Sequence, residues 1–303
     1  MKFKFKFHWV GCHLFGGVIC AGTILLLSSS AQAQNLFATG STASGSGSVY
    51  EFTPGGVQST FASGLGQPEG LAFNSAGDLF VADFFSGTIY EFTPGGVQST
   101  FASGLNHPTG LAFNSAGDLF EADYGSSRIY EFTSSGTKST FASYVTSPEA
   151  LAFNSADDLF VAGQDGEIIE ITPSRVQSGY ADSLAGLSGL SFNSAGELFA
   201  VGVGDIYQIP SCGVVSTFAS LAHPVALAFD NAGNLFVSDA VSGNIYEFTP
   251  GGVQSTFSTF TYGLSPVAFG LAFQLAPEPS VLGLLAVAAT AFFVRRHRSS
   301  AFL

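Results

Sequence analysis

The sequence predicts an all-β chain, a six-bladed β-propeller of four-stranded blades whose ring is closed by a C-terminal inner strand. Three observations carry this prediction. The decapeptide Leu71-Ala72-Phe73-Asn74-Ser75-Ala76-Gly77-Asp78-Leu79-Phe80 recurs unchanged at 111–120, and variants begin at Leu151, Leu190, Leu227 and Leu271, at spacings of 40, 40, 39, 37 and 44 residues. Each unit holds four short apolar or aromatic runs bounded by Gly, Pro, Asn and Asp, with no 3.6-residue period. The first and last units are incomplete in complementary ways, as a closed ring requires.

From the N-terminus, residues 1–33 read as an export signal. Lys2, Lys4 and Lys6 precede an apolar stretch, and Ala31-Gln32-Ala33 forms the small-x-small pattern recognised by signal peptidase, so that the mature chain is expected to begin at Gln34. Cys12 and Cys20 fall in this segment, which leaves Cys212 alone in the body. An intramolecular disulfide framework and a zinc-type cysteine cluster are both excluded there.

The propeller is expected over 34–276. In the first full unit the strands should cover 70–73, 79–82, 88–92 and 99–102. Asn-Ser-Ala-Gly-Asp between the first two suits a type I turn closed by Gly at positive φ. Thr-Pro-Gly-Gly between the last two suits a type II turn, with Pro second and Gly third. The last unit stops after Leu271-Ala272-Phe273, and the first starts at Asn35-Leu36-Phe37, the equivalent of Asp78-Leu79-Phe80. The C-terminal strand therefore completes the first blade.

Charge narrows the ligands. The chain has 303 residues, 10% of them charged, and a net charge of −13. The body 34–276 holds three basic residues, Arg128, Lys138 and Arg175, against 21 acidic ones, a net −18. Such a surface repels nucleic acid and anionic lipid. Cations, neutral sugars and basic partners remain.

Residues 277–303 form a distinct tail. Pro277-Glu278-Pro279 precedes the apolar run 281–294 and the basic end Arg295, Arg296, His297 and Arg298. Fourteen residues at a helical rise reach roughly 21 Å, short of the ~30 Å hydrocarbon core. The basic end would stay cytoplasmic, with the propeller outside the inner membrane. The three-part order resembles the PEP-CTERM sorting tail of Gram-negative bacteria, also classed with ice-binding protein C-terminal domains. That resemblance implies an exosortase-type partner and delivery to the cell surface or extracellular matrix, with the membrane engaged only through the tail.

The repeat itself, with Pro-x-Gly-Leu-Ala-Phe, Gly-Asp-Leu-Phe-Val-Ala-Asp and Ile-Tyr-Glu-Phe, resembles the NHL-repeat and gluconolactonase (senescence-marker-protein) propellers over nearly all of 35–273. WD-repeat signatures are absent, since Trp9 is the only tryptophan.

Any site should lie on the face carrying the blade-to-blade links and the second-to-third strand loops, because these vary between blades while the other turns repeat. Phe84, Phe85 and Tyr124 in those loops, and His107 and His223 before link prolines, are ligand-face candidates. In the similar virginiamycin-lyase propellers, histidines near the channel act in catalysis; here a role in shaping the links is favoured. The residues just before the inner strands are Glu69, Thr109, Glu149, Ser188, Val225 and Phe269. The gluconolactonase resemblance implies a divalent metal held by such positions. Pro68-Glu69-Gly70 matches its Glu-Gly pair, whereas Thr109 replaces the expected Asn and Asp165-Gly166 lies in a different loop. Glu69, Glu149 and Thr109 with water remain a candidate Ca²⁺ or other divalent-cation site. Asp83, Asp123 and Asp239, which end second strands, should cap the following loop. No phosphate loop, nucleophile elbow or zinc-protease helix occurs.

Two functions follow. The favoured one is a non-catalytic surface or matrix protein binding polysaccharide or a surface protein, since the catalytic set is incomplete. The other is a metal-dependent hydrolase or lyase of the gluconolactonase-like kind.

Overall fold

The computed structural model describes residues 34–41, 46–211, 213–260 and 270–274. The expected leader with Ala31 and Ala33, Cys212, Phe269, and the tail with Pro277, Glu278, Pro279, Arg295, Arg296 and Arg298 lie outside the described residues. No helix among the described residues is long and apolar enough to cross a membrane.

Six four-stranded antiparallel sheets follow one another along the chain. Blade 1 contains β1 (Leu36–Ser41), β2 (Gly47–Phe52) and β3 (Gln58–Leu65). Blade 2 contains β4 (Pro68–Phe73), β5 (Leu79–Asp83), β6 (Thr88–Phe92) and β7 (Gln98–Ser103). Blade 3 contains β8 (Pro108–Phe113), β9 (Leu119–Asp123), β10 (Arg128–Phe132) and β11 (Lys138–Ser143). Blade 4 contains β12 (Pro148–Phe153), β13 (Leu159–Gly163), β14 (Ile168–Ile171) and β15 (Gln177–Ala181). Blade 5 contains β16 (Gly189–Phe192), β17 (Leu198–Val201), β18 (Asp205–Ile209) and β19 (Ser216–Ser220). Blade 6 contains β20 (Pro224–Phe229), β21 (Leu235–Asp239), β22 (Asn244–Phe248) and β23 (Gln254–Thr259). The closing strand β24 (Leu271–Phe273) pairs with β1, Leu36 opposite Phe273 and Ala38 opposite Leu271, so blade 1 is composite as the repeat phase requires.

Phenylalanine builds the walls between blades. The Phe of each Leu-Phe pair on a second strand meets two other rings edge-on, one from its own fourth strand and one from the next blade's first strand. Phe80 meets Phe101 at 5.0 Å and Phe113 at 5.1 Å. Phe120 meets Phe141 and Phe153, both at 4.9 Å. Phe236 meets Phe257 at 5.0 Å and Phe273 of the closing strand at 4.9 Å. Edge-to-face geometry at this spacing is the preferred aromatic arrangement. The outer pair of each blade makes it possible through a bulge. In blade 2, Ile89 opposes Ala102 and Tyr90 opposes Thr100, so Phe101 has no partner and turns inward.

The turns show one departure from expectation. Gly77 has φ +87° and its N–H donates to Asn74 O, as expected of the first turn. In the Thr-Pro-Gly-Gly turn, however, the positive φ belongs to the second glycine (Gly56 +76°, Gly96 +79°, Gly252 +79°) and the first is not left-handed. The turn is therefore type I with Gly at its fourth position. The Gly96 N–H donates to Thr93 O at 2.8 Å, and the Thr93 hydroxyl accepts from Val97 N–H at 3.2 Å, which closes the turn.

At the glycine positions of blades 2 and 3 the inner strands approach their neighbours more closely than a side chain allows, whereas blades 4 and 6 accept Ala150 and Ala226 there. A Cβ on Gly70 would lie 2.1 Å from Thr109 O, and one on Gly110 2.7 Å from Glu149 O. The glycine of Pro-x-Gly-Leu-Ala-Phe is therefore a packing requirement at the ring's axis.

Candidate functional site

The inner strands and the variable loops enclose one cavity of about 560 Å³ on the predicted face. Its wall is a belt of six leucines, one per blade: Leu71, Leu111, Leu151, Leu190, Leu227 and Leu271. Phe84, Tyr124, Gln164, Val203 and His223 line the mouth, supplied by the loops and links that differ between blades.

Glu69 and Glu149 open into this cavity. Both sit inside inner strands, not before them, because the strands begin at Pro68 and Pro148. A bulge aims Glu69 inward: Pro68 opposes Asp83 and Leu71 opposes Val81, so Glu69 and Gly70 are out of step with β5. Burial against the leucine belt pushes the Glu69 carboxyl up to about 8, reinforced by the Glu149 and Asp83 charges and opposed by a hydrogen bond from Gln67. That bond runs from Gln67 Nε2 to Glu69 Oε1 at 2.8 Å. Burial raises Glu149 to about 7. None of the body's cations, Arg128, Lys138 or Arg175, lines the cavity, so nothing there compensates the pair.

Gln67 is held in turn by Asp83. Its buried carboxylate accepts from Gly66 N–H at 2.7 Å and Gln67 N–H at 3.0 Å. Asp123 accepts from Asn106 N–H at 2.8 Å and Ser126 N–H at 3.1 Å. Asp239 accepts from His223 and Ser242 N–H, both at 2.7 Å. Burial works against ionised Asp239, and these amides hold it below the usual carboxylate range. The loop-capping role expected for the three aspartates is present. Their second grip, on the link entering the same blade, was not legible because those contacts are 16 or 17 residues away.

The other candidates divide. Thr109 lines the cavity, but its hydroxyl lies 3.0 Å from Ala122 O and 2.9 Å from Pro148 O and is spent joining blades 3 and 4. Ser188 likewise donates to Val225 O at 2.7 Å. With its proton directed at those carbonyls, Thr109 leaves Glu69 and Glu149 as the two carboxylates of the candidate cation site that face the cavity. No three His, Cys, Asp or Glu side chains group suitably among the described residues. His107 does not line the cavity; its ring stacks on Phe84 at 4.4 Å and braces that loop from behind. Phe85 is exposed and packs on Phe84 at 5.6 Å. Tyr124 Oη donates to Gln164 Oε1 at 3.1 Å, tying the blade 3 and blade 4 loops. Sequence reasoning missed Gln67 and the leucine belt, although the belt is visible as the first residue of each Leu-Ala-Phe and of Leu190-Ser191-Phe192.

No known protein family and no curated protein matches the chain in sequence. Solved structures match its fold. A streptogramin B lyase is 16% identical with a TM-score of 0.61, over 79% of this chain and 90% of its own. A gluconolactonase from Xanthomonas campestris is 16% identical with a TM-score of 0.58, over 63% and 75%. A chain of a nidogen/laminin complex is 17% identical with a TM-score of 0.71, over 80% and 98%. At this identity the likeness establishes the six-bladed propeller, shared by proteins that are and are not named as enzymes.

Proposed function

We propose that the propeller is a hydrolase or lyase acting on a neutral small molecule, with Glu69 and Glu149 as its proton-transfer pair. The observation that supports this most is two carboxyls, raised to about 8 and about 7, facing one apolar cavity without a cation. Perturbed carboxyls in a main cavity are a signature of functional sites. Between these values Glu149 is largely ionised and acts as base, while Glu69 keeps its proton and acts as acid. The leucine belt makes the surroundings of the pair apolar, Gln67 orients the Glu69 carboxyl, and the acidic body turns anionic substrates away. A lactone suits this site, in keeping with the gluconolactonase among the fold's neighbours. No metal is needed for these roles.

Glucono-lactone hydrolysis and quinupristin cleavage are the assays to run, the latter because a virginiamycin B lyase of this fold was solved with that compound. With an active probe, Glu69→Gln and Glu149→Gln should each lower kcat by roughly 10²–10⁴-fold. The pH profile should be a narrow bell peaking between about 7 and 8. Full turnover in both variants would overturn the pair's role. A second reading, a non-catalytic surface binder of polysaccharide or protein, draws on Phe85 and Tyr144, exposed by 64% and 96% in a second-to-third strand loop and a blade-to-blade link. Retention on a polysaccharide, lost with Phe85→Ala and Tyr144→Ala, would favour it.

In either case we propose that signal peptidase removes 1–33 and that 277–303 is an exosortase-type sorting tail, placing the propeller at the cell surface or in the matrix of a Gram-negative cell. Deleting 277–303 should release the protein from the membrane fraction.

A further inference from the structure

The two ends of the propeller leave from one face, and that face is the one opposite the mouth. Gly270 and Leu271 line the cavity, and β24 runs away from it to Gln274. The Gln274 N–H donates to Asn35 O at 3.0 Å, the place Asn74 holds in the first turn of blade 2. Gln34 Nε2 donates to Gln274 O at 2.8 Å, so the other end lies beside it. This turn face also carries Val57, Val97, Val176, Val214 and Val253, one at the tip of each Gly-Gly-Val-type turn and each 60–67% exposed. Blade 3 alone has Thr137 there.

We infer that the turn face rests on the membrane surface and the mouth points away from it. The inference rests on the reading of 277–303 as a membrane tail. Only seven chain steps, with six intervening residues, separate Gln274 from Val281, where the apolar run begins. Fully extended they span roughly 25 Å. Gln274 continues an inner strand, next to the propeller axis. For the mouth to face the bilayer, the tether would have to cross a blade and then descend its side. Three strand intervals cover about 14 Å and five residues of strand about 17 Å, which together exceed the tether before side chains are counted. The substrate therefore enters from the side away from the membrane, as a soluble molecule and not from lipid. The valines meet the headgroup zone, and the acidic body selects a zwitterionic surface over an anionic one.

The test uses the full chain with Cys12→Ser, Cys20→Ser and Cys212→Ser, bound to phosphatidylcholine vesicles carrying a headgroup-attached quencher. A fluorophore is placed by Val97→Cys, Val253→Cys or Phe85→Cys. The probes at 97 and 253 should be quenched several-fold more than the probe at 85. Binding to vesicles with equal or stronger quenching at 85 would overturn the orientation and leave the tail reading intact. A chain that does not float with the vesicles would overturn both.

Discussion

Replacing Glu121 by valine is expected to stabilise the protein by about 2–3 kcal/mol at neutral pH, the scale on which an unpartnered buried polar group destabilises. Glu121 is wholly buried, and neither carboxylate oxygen has a hydrogen-bond partner. It opposes Leu111 in the register of β8 and β9. The same place holds Val81, Val161 and Val237 in blades 2, 4 and 6, each opposite the leucine of its own inner strand. Burial pushes its carboxyl well above the ordinary range, and the Asp123 charge adds to this, while Lys138 opposes it. The fold therefore favours protonated Glu121, and stability is lost as pH rises above the ordinary carboxylate pKa. The gain from Glu121→Val should be small at pH 5 and larger at pH 8, read as a rise in Tm of about 2–4 °C per kcal/mol. Equal or lower stability at pH 8 would mean the carboxylate has partners in solution.

Phe236→Ala should cost about 3–5 kcal/mol, the range for removing a core phenylalanine. Phe236 is 4% exposed and is the ring against which both Phe257 and Phe273 stand edge-on. Its second contact is unlike the others, because Phe273 belongs to the three-residue strand that closes the propeller. The loss should therefore be accompanied by faster amide exchange at Leu271 and Phe273. Phe120→Ala, at the equivalent place between blades 3 and 4, should lower Tm comparably without that change. Similar exchange in the two variants would show that Phe236 does not hold the closure.

The fold was legible because a propeller repeats itself: five copies of Leu-Ala-Phe and the variant Leu190-Ser191-Phe192 fixed the blade number, and the complementary ends fixed the closure. The strands of blade 2 match expectation to within one residue, except that β4 begins at Pro68. That difference moved Glu69 and Glu149 into the strands and, with the bulge, toward the lumen. The type I geometry of Thr-Pro-Gly-Gly could have been read, since a second Gly at the fourth position favours it. The bulge at Phe101 could not, because it depends on how Ile89 and Tyr90 pair with a strand that looks regular in sequence. The site was half legible. Glu69 and Glu149 were found from position, but the fate of Thr109 was decided by Pro148 O on the neighbouring blade, a contact no local pattern encodes. Glu121 had a visible signal, a Glu where the other blades have an apolar residue.

The account rests on Glu69 and Glu149 keeping protons far above the ordinary carboxylate range. A carboxyl-carbon NMR titration of the full chain, with Glu69→Gln and Glu149→Gln assigning the two signals, tests this directly. The account predicts midpoints near 8 for Glu69 and near 7 for Glu149. Midpoints for both near the ordinary value of 4.5 would contradict it, since neither carboxyl could then act as an acid at neutral pH.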